Sequence, residues 1–600
     1  MEESKFDVIV LGTGLVESIL AGALSRVGKT VLHLDNNQYY GGRWTALTLV
    51  DFIQHFQKIL VEKIDSAQSN QATDPDPGAI DFFSNYANSF KDIDMQIYPE
   101  ASEGDSPAET EVETSEEVAN FIQELIGLLS AQSTCSTIAQ KIEAFAKLTL
   151  GLNGRESEGA VAVESTRQAI LLKSRWTGEQ NGQESLVRSC VSRLSNAISR
   201  ITTLLQRSRQ YNLELAPKLL CCSDRLIDDL VASGVSRYLD FKLLEGTYMG
   251  WSGKYDKVPC SKEDIFTSKN LSLIEKRKLM KYLTYAMDTS ADPTIINEYQ
   301  DQPFDKMLRE KFLIKDNLLN AVMYSIALIP TGKEAEVTSA LGMERTQRYL
   351  KALGRYGNSA YLHTMYGSGS EISQGFCRLS AVYGGTYMLG HNITNIHFKE
   401  DDQVFEVACQ DDHTFEAPLI VASSDYQSKH LNCSQEIKTT AISRGVFLLN
   451  KPVFPESQLI KIVTPPSFVN NQNPVFALQV NNGVQACPKD QFVVYMWTLS
   501  SSTAREDLFE VAESLLSLDG AHEEKPEVLV SLFYQQTVIK PDLTDKAPMN
   551  LFLTSDPDHE IDFANIAQEA HEIFKRICPG DEFLEPTPDP EIEAEYVHTE

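Results

Sequence analysis

The residues best placed to do chemistry lie at the start of the chain: Gly12 and Gly14 directly after an apolar run, Glu17 one turn further on, and Asp35 beyond. A Gly-x-Gly turn between a strand and a helix leaves backbone N–H groups free to cradle a phosphate, and an acid about 20 residues on takes a ribose hydroxyl. The chemistry would be capture of a dinucleotide. Glu17, however, stands where G-x-G-x-x-G requires its third glycine. A carboxylate brings bulk and negative charge to the seat of the pyrophosphate; at ~4 Å and an effective dielectric of ~20, one such repulsion is roughly 4 kcal/mol. The helix dipole is worth only ~0.3–1 kcal/mol and would be satisfied by Glu17 itself. The first reading is a dinucleotide fold whose site (Gly12, Gly14, Glu17) is degenerate and which binds no cofactor. The alternative is a Rossmann-type variant that tolerates the acid, still holds a flavin and is yellow when purified.

Two further stretches bear on that choice. Tyr39-Tyr40-Gly41-Gly42-Arg43 places a G-G-R soon after the acid, as flavoproteins with two dinucleotide domains often do; it reads equally as a surface turn with exposed tyrosines. Thr554-Ser555-Asp556-Pro557 ends the last strand without the glycine that would approach a flavin ribitol phosphate. Other chemistries fare worse. There is no G-x-S-x-G and no H-E-x-x-H, and Gly28-Lys29-Thr30 imitates a P-loop out of register and between helix and strand. The 11 histidines show no metal spacing, and none of the 10 cysteines stands in C-x-x-C, as expected of reduced thiols. Cys221-Cys222 lie in an apolar run and read as core. No catalytic residue and no metal site is expected.

The elements that must position these residues follow from periodicity. Asp7 to Leu11 and Thr30 to Leu34 are short β-branched runs, expected as buried parallel strands, with a helix from Leu15 to Val27 between them ending at Gly28. Leu213 to Leu230 reads as helix, Leu239 to Met249 and Tyr255 to Val258 as a hairpin, and Ser272-Leu-Ile-Glu275 as a capping box. That box starts a helix through Met287 with the face Leu273, Met280, Leu283 and Met287. A long helix is expected over Phe304 to Leu328. Strands are expected over Ile393 to Phe398, Val404 to Cys409, Leu419 to Ser423, Phe447 to Leu449, Phe492 to Trp497 and Leu551 onward, and a helix over Ile566 to Cys578.

With 600 residues the chain has room for two or more domains, and 84 acidic against 53 basic residues give a net charge of −31. Such a balance argues against nucleic acid or an anionic membrane as the main partner. Between about Ala67 and Gly182 the composition turns polar and acidic, the expectation being a disordered or loosely packed insertion, with helical runs at Val118 to Leu150 and Leu186 to Leu205. The start shows no signal-peptide pattern, Ala321 to Pro330 is too short to span a bilayer, and the last residues hold no lipidation box, so a cytoplasmic location is expected.

Taken together, Asp-Val-Ile-Val-Leu-Gly-Thr-Gly-Leu, Tyr-Tyr-Gly-Gly, Val-Ser-Arg-Tyr-Leu-Asp-Phe-Lys, Glu-Lys-Arg, Arg-Tyr-Gly and Arg-Leu-Ser-Ala-Val-Tyr-Gly-Gly-Thr-Tyr-Met strongly resemble the Rab escort protein and Rab GDP-dissociation inhibitor superfamily. The resemblance covers Phe6 to about Thr48, Tyr211 to Leu389 and, more loosely, the chain to Pro588. It implies an α/β, FAD-monooxygenase-like multi-sheet domain I without flavin (1–60, 207–262 and 352–600), a small all-α domain II (263–351), and a partly disordered family-specific insertion (61–206). It further implies that Tyr40, Glu371, Arg378 and Met388 grip the switch regions of a GDP-bound Rab GTPase, and that Arg355 and Tyr361 belong to a mobile loop. Taken alone, Glu371 and Arg378 read instead as an internal salt bridge.

Escort proteins use a phenylalanine and an arginine, matched here by Phe266 and Arg277, to dock on the Rab geranylgeranyltransferase α/β heterodimer; inhibitors lack the phenylalanine. Phe266 and the long insertion favour an escort, while Gly-Gly-Thr-Tyr-Met fits an inhibitor as well. The role implied is presentation of newly made Rab to the transferase, not catalysis, followed by delivery of the prenylated Rab with transient membrane contact. A geranylgeranyl group of about 20 carbons, at ~0.8 kcal/mol per buried CH₂, needs cover. Leu318, Leu319, Val322, Met323 and Ile326 read either as ordinary core or as that cover.

Overall fold

The computed structural model describes residues 4–68, 80, 82–98, 200, 203–259, 265, 271–399, 401, 403–426, 437–518, 522–541 and 550–586. The Val118–Leu150 helix, most of the Leu186–Leu205 helix and the acidic tail from 587 lie outside the described residues.

Val8–Leu11 and Val31–Asp35 are buried on both faces, as expected of central parallel strands. They form the middle of a five-stranded, all-parallel sheet of order Thr386–Leu389, Val31–Asp35, Val8–Leu11, Ile420–Ala422, Leu551–Leu553. The register sets Met388 beside Leu34 and Leu389 beside Asp35. One face is covered by the first helix, Leu15–Arg26, which packs against the helices Ser368–Val382 and Ala564–Ile577. Gly22 makes the first of those contacts close: a Cβ there would meet Leu379 at 3.2 Å. On the other face, the antiparallel strands Ile393–Lys399, Val404–Cys409 and Thr414–Ala417 close a core of Ile9, Leu11, Leu32, Leu34, Phe405 and Val407.

A second, eight-stranded sheet runs from Phe90–Ile97 through Val528–Pro541, Ile437–Leu449 and Phe492–Leu499 to Lys254–Lys257. Its first strand corrects the reading of 61–206 as one insertion. Phe82–Asn88 is a helix, Phe90–Ile97 pairs with Val528–Pro541, and Tyr86 and Phe90 are buried. These residues belong to the body of the fold, and their aromatic side chains carry them into it.

The region 213–230 is also corrected. It forms two short strands, Leu213–Glu214 and Leu220–Cys221, and a helix only from Arg225 to Ala232. Pro217 lacks an N–H and disfavours a helical conformation at the residue before it, so apolar periodicity loses to the break. Cys221 and Cys222 are buried free thiols at a strand end and not in a helix.

In the helical block, the capping box at Ser272 and Glu275 opens Leu273–Met287 as expected. The buried stripe is Leu279, Tyr282, Leu283 and Ala286, while Leu273 (75 %) and Met287 (58 %) face solvent. The single helix expected over Phe304–Leu328 is three pieces: Phe304–Lys311, Asp316–Asn320 and a π-helical turn, Ala321–Ile326. Leu313 and Asp316 break it with positive φ, which turns Phe312 onto the Tyr282 ring at 5.2 Å. The helix Ser339–Ala352 seals the block and anchors it, since Arg345 pairs with Glu560 at 2.5 Å and Arg348 with Asp562. No helix among the described residues is long and apolar enough to cross a membrane.

Phe304 is fully buried with its ring flat against Gly342, where a Cβ would lie 2.3 Å from ring atoms. Phe304→Ala is expected to cost about 3–5 kcal/mol. A urea titration of the full chain should show the earlier midpoint, and an unmoved midpoint would mean that the ring does not hold the block together.

Candidate functional site

At the glycine turn the acid that would meet a dinucleotide ribose meets protein instead. Asp35 Oδ2 accepts hydrogen bonds from the Thr13 N–H (2.8 Å) and hydroxyl (2.6 Å), and Oδ1 accepts from the Asn37 N–H (2.7 Å) and side-chain amide (3.0 Å). Burial raises this carboxyl to about 6 despite those donors. His33, lowered by burial to about 4, is neutral and donates from Nε2 to the Gly12 carbonyl at 2.6 Å.

Glu17 folds back under Gly14, with its carboxyl oxygen 2.5 Å from where a Gly14 Cβ would lie, and accepts from Thr554 Oγ1 at 2.6 Å. Burial pushes its pKa up to about 8, with Glu569 and Asp556 adding to the rise. The expected charge repulsion is therefore corrected: at neutral pH Glu17 is mostly protonated, and it excludes a phosphate by volume. Beside it Arg43, far from a surface turn, is buried between Asp425 and Asp556 and donates to Ser89 Oγ at 2.6 Å. The space left among Gly14, Glu17, Asp35, Arg43, Tyr426 and Asp556 is about 20 Å³, room for about one water. These residues do not fit a dinucleotide.

The same turn holds up the outer surface. Thr13, fixed by Asp35, accepts the Gly41 N–H at its carbonyl (3.1 Å) and its hydroxyl (3.0 Å), and Gly41 takes a left-handed φ of 98° to allow it. This places Tyr40, half-buried, with its ring 6.3 Å from that of Tyr387 on the edge strand, next to Met388. Glu371 and Arg378 lie at i and i+7 on the helix Ser368–Val382, on one face and about 10 Å apart along the axis. They form no ion pair with each other among the described residues, which removes the salt-bridge alternative. Glu371 is partly buried and its carboxyl is held above the usual range by burial.

Arg378 is exposed and stacks over Tyr238, its guanidinium carbon 4.1 Å from the ring centroid. Gly375 brings the Tyr238 turn this close, for a Cβ there would meet Val235 at 2.6 Å. Tyr238 (47 % exposed) is a further candidate for this surface that sequence reasoning missed, although it stands in the Val-Ser-Arg-Tyr motif. The arrangement sets two separated charges on one helix face with an exposed tyrosine beside the arginine, a polar surface suited to gripping a protein, while Met388 packs instead against the core of Ile9, Leu11, Leu32 and Leu34.

The sequence matches the family described as GDP dissociation inhibitor over residues 1–74 and 180–585. The chain belongs to that family. Among curated relatives, mouse Rab proteins geranylgeranyltransferase component A 2 is 28 % identical over 98 % of both chains. Human component A 1 is 29 % identical over 98 % of this chain and 93 % of its own. The yeast Rab GDP-dissociation inhibitor is 28 % identical over 62 % of this chain and 80 % of its own. The crystal structure of a Plasmodium falciparum RAB GDI shares the fold, with a TM-score of 0.61 at 18 % identity, covering 97 % of this chain and 100 % of that one.

The remaining sites expected from family resemblance fall less evenly. Arg355 donates to Asp228 (2.5 Å) and to the Cys222 carbonyl (2.8 Å), pinning its glycine-rich loop to the helix Arg225–Ala232. Tyr361 is not in that loop: it is buried in the strand Tyr361–Thr364, paired with Cys221 and facing the Lys461 ammonium at 4.7 Å. A chain reversal at Gly357 (φ 149°) separates the two. Phe266 lies outside the described residues. Arg277 is exposed and shares a face with Leu273 (i−4) and Ile274 (i−3, 65 % exposed).

Glu17 sets a pH dependence. Its folded pKa is raised, so its contribution to stability is complete below the unfolded carboxylate range and is lost as pH rises toward about 8. Glu17→Gln keeps the acceptor for Thr554 and cannot ionise. Relative to the parent it should gain up to about 1.4 kcal/mol per pH unit between roughly pH 5 and 8. Parallel denaturation at several pH values tests this, and curves that stay a constant distance apart would exclude a neutral Glu17.

Proposed function

We propose that this family member is a Rab escort protein. Its platform of Tyr40, Tyr238, Glu371, Arg378 and Met388 binds GDP-bound Rab, and its helical block recruits the Rab geranylgeranyltransferase α/β heterodimer. It is a non-catalytic accessory: the prenylated cysteines are on Rab and the chemistry is the transferase's. The observation that carries the reading is extent. The component A relatives align along 98 % of the chain, whereas the family match skips 75–179 and the yeast inhibitor reaches 62 %. Supporting it, the first turns of Leu273–Met287 offer Leu273, Ile274 and Arg277 together to solvent, an apolar pair beside a cation of the kind that anchors interfaces. Phe266 is the second proposed anchor.

After transfer the lipid must be kept from water, and in this reading Leu318, Leu319, Val322, Met323 and Ile326, all buried, open to receive it. Val322, Met323 and Ile326 lie in the π-helical turn, a packing that departs from a regular helix, and Leu318 and Leu319 in the short helix before it. The escort then acts in the cytoplasm with transient contact at membranes.

The test is prenylation of GDP-loaded Rab by purified transferase, with and without the chain. Addition of the chain should stimulate transfer, and Arg378→Ala should weaken Rab binding about tenfold or more with the fold intact. Phe266→Ala should abolish transferase binding in the absence of Rab, where Tyr40→Ala leaves it unchanged. No stimulation, together with extraction of prenylated Rab from membranes, would make the chain a Rab GDP-dissociation inhibitor instead.

A further inference from the structure

We propose that His391, Asp411 and His413 form a surface site for one divalent transition-metal cation of the zinc class. The three side chains come from two separate segments, so no sequence spacing announces them. In the fold their ligand atoms all lie within 4.8 Å of one another. His391 Nδ1 is 3.0 Å and His413 Nδ1 2.8 Å from the same oxygen, Asp411 Oδ2.

The backbone under each residue is fixed. His391 follows the edge strand Thr386–Leu389 after Gly390 (φ 71°), and its N–H donates to the Asp35 carbonyl at 3.1 Å. Asp411 and His413 stand in the turn closed by the Cys409 N–H on the His413 carbonyl at 2.9 Å, with Asp412 left-handed at φ 61°. The His413 ring stacks on Phe415 (6.1 Å, 22°), a buried side chain, which limits its rotation.

Two imidazoles and one carboxylate are a donor set that zinc, cobalt and nickel accept and that magnesium and calcium, which take oxygen ligands, do not favour. Without a metal, both Nδ1 positions must carry a proton to share the carboxylate. With one, each ring moves that proton to Nε2 and turns a lone pair inward. The side chains are 26 %, 40 % and 46 % exposed, which leaves a fourth position to water or to a group from a partner. A bound ion would tie the end of the strand that carries Met388 to the neighbouring hairpin.

Calorimetric titration of the chelator-treated full chain with zinc chloride tests the site, and cobalt(II) absorption reports its coordination. One equivalent should bind at this site and be lost, or weakened by at least about tenfold, in both His391→Ala and His413→Ala. Melting curves of the variants in chelator, coincident with the parent, would attribute that loss to the ligands and not to unfolding. Zinc binding that is absent in the parent, or equal in parent and variants, would overturn the proposal.

Discussion

The hydrogen bond from Thr13 to Asp35 is the constraint on which the rest of this molecule depends. In a dinucleotide fold the glycine turn and the acid at the end of the second strand both look outward to a ligand. Here they look at each other, and the Thr13 hydroxyl and carbonyl are then free to take the Gly41 N–H. One contact thereby does two things: it removes the ribose acid from service and it fixes the loop that carries Tyr40. The Glu17–Thr554 bond and the buried Arg43 between Asp425 and Asp556 fill the space that remains. The cleft has become internal support for a surface.

That surface draws on elements far apart in the chain. The loop after the second strand, the edge strand Thr386–Leu389 and the helix Ser368–Val382 meet because glycines let backbones approach. Gly22 does so under the helix, and Gly375 does so against the Tyr238 turn. The result spaces one acid and one arginine along a helix without letting them neutralise each other. Arg378 keeps its charge available by stacking on an aromatic face, which costs it no hydrogen-bond donors.

Much of this was legible in the sequence where a residue acts locally. The opening strand–turn–helix–strand, the missing third glycine, the capping box at Ser272 and the strands that begin at Ile393 and Val404 all follow from spacing and side-chain type. What was not legible depended on burial or on competition between signals. Glu17 reads as a charge in sequence and becomes a neutral acid once its surroundings are known. Apolar periodicity over 213–230 hid Pro217, and the same periodicity over 304–328 hid the left-handed Leu313 and Asp316 that only tertiary packing rewards. Phe82 to Ile97 sits beside an acidic, polar stretch and was absorbed into it, although its aromatic residues complete a sheet edge. Tyr361 was misplaced for a related reason: proximity to a glycine-rich loop says nothing about which side of the turn a residue falls on.

The closed cleft also sets what it would cost to open a nucleotide site here. Returning Glu17 to glycine would open a void and leave Arg43 locked between its two acids, with Asp35 still turned inward. Removing Arg43 first would strand Asp425 and Asp556, and uncompensated buried charge of that kind costs about 3–5 kcal/mol. Every single step toward a nucleotide site is thus downhill in stability and gains no ligand to compensate. The fold behaves as a ratchet, free to vary its outer surface among partners while its interior holds it to that trade.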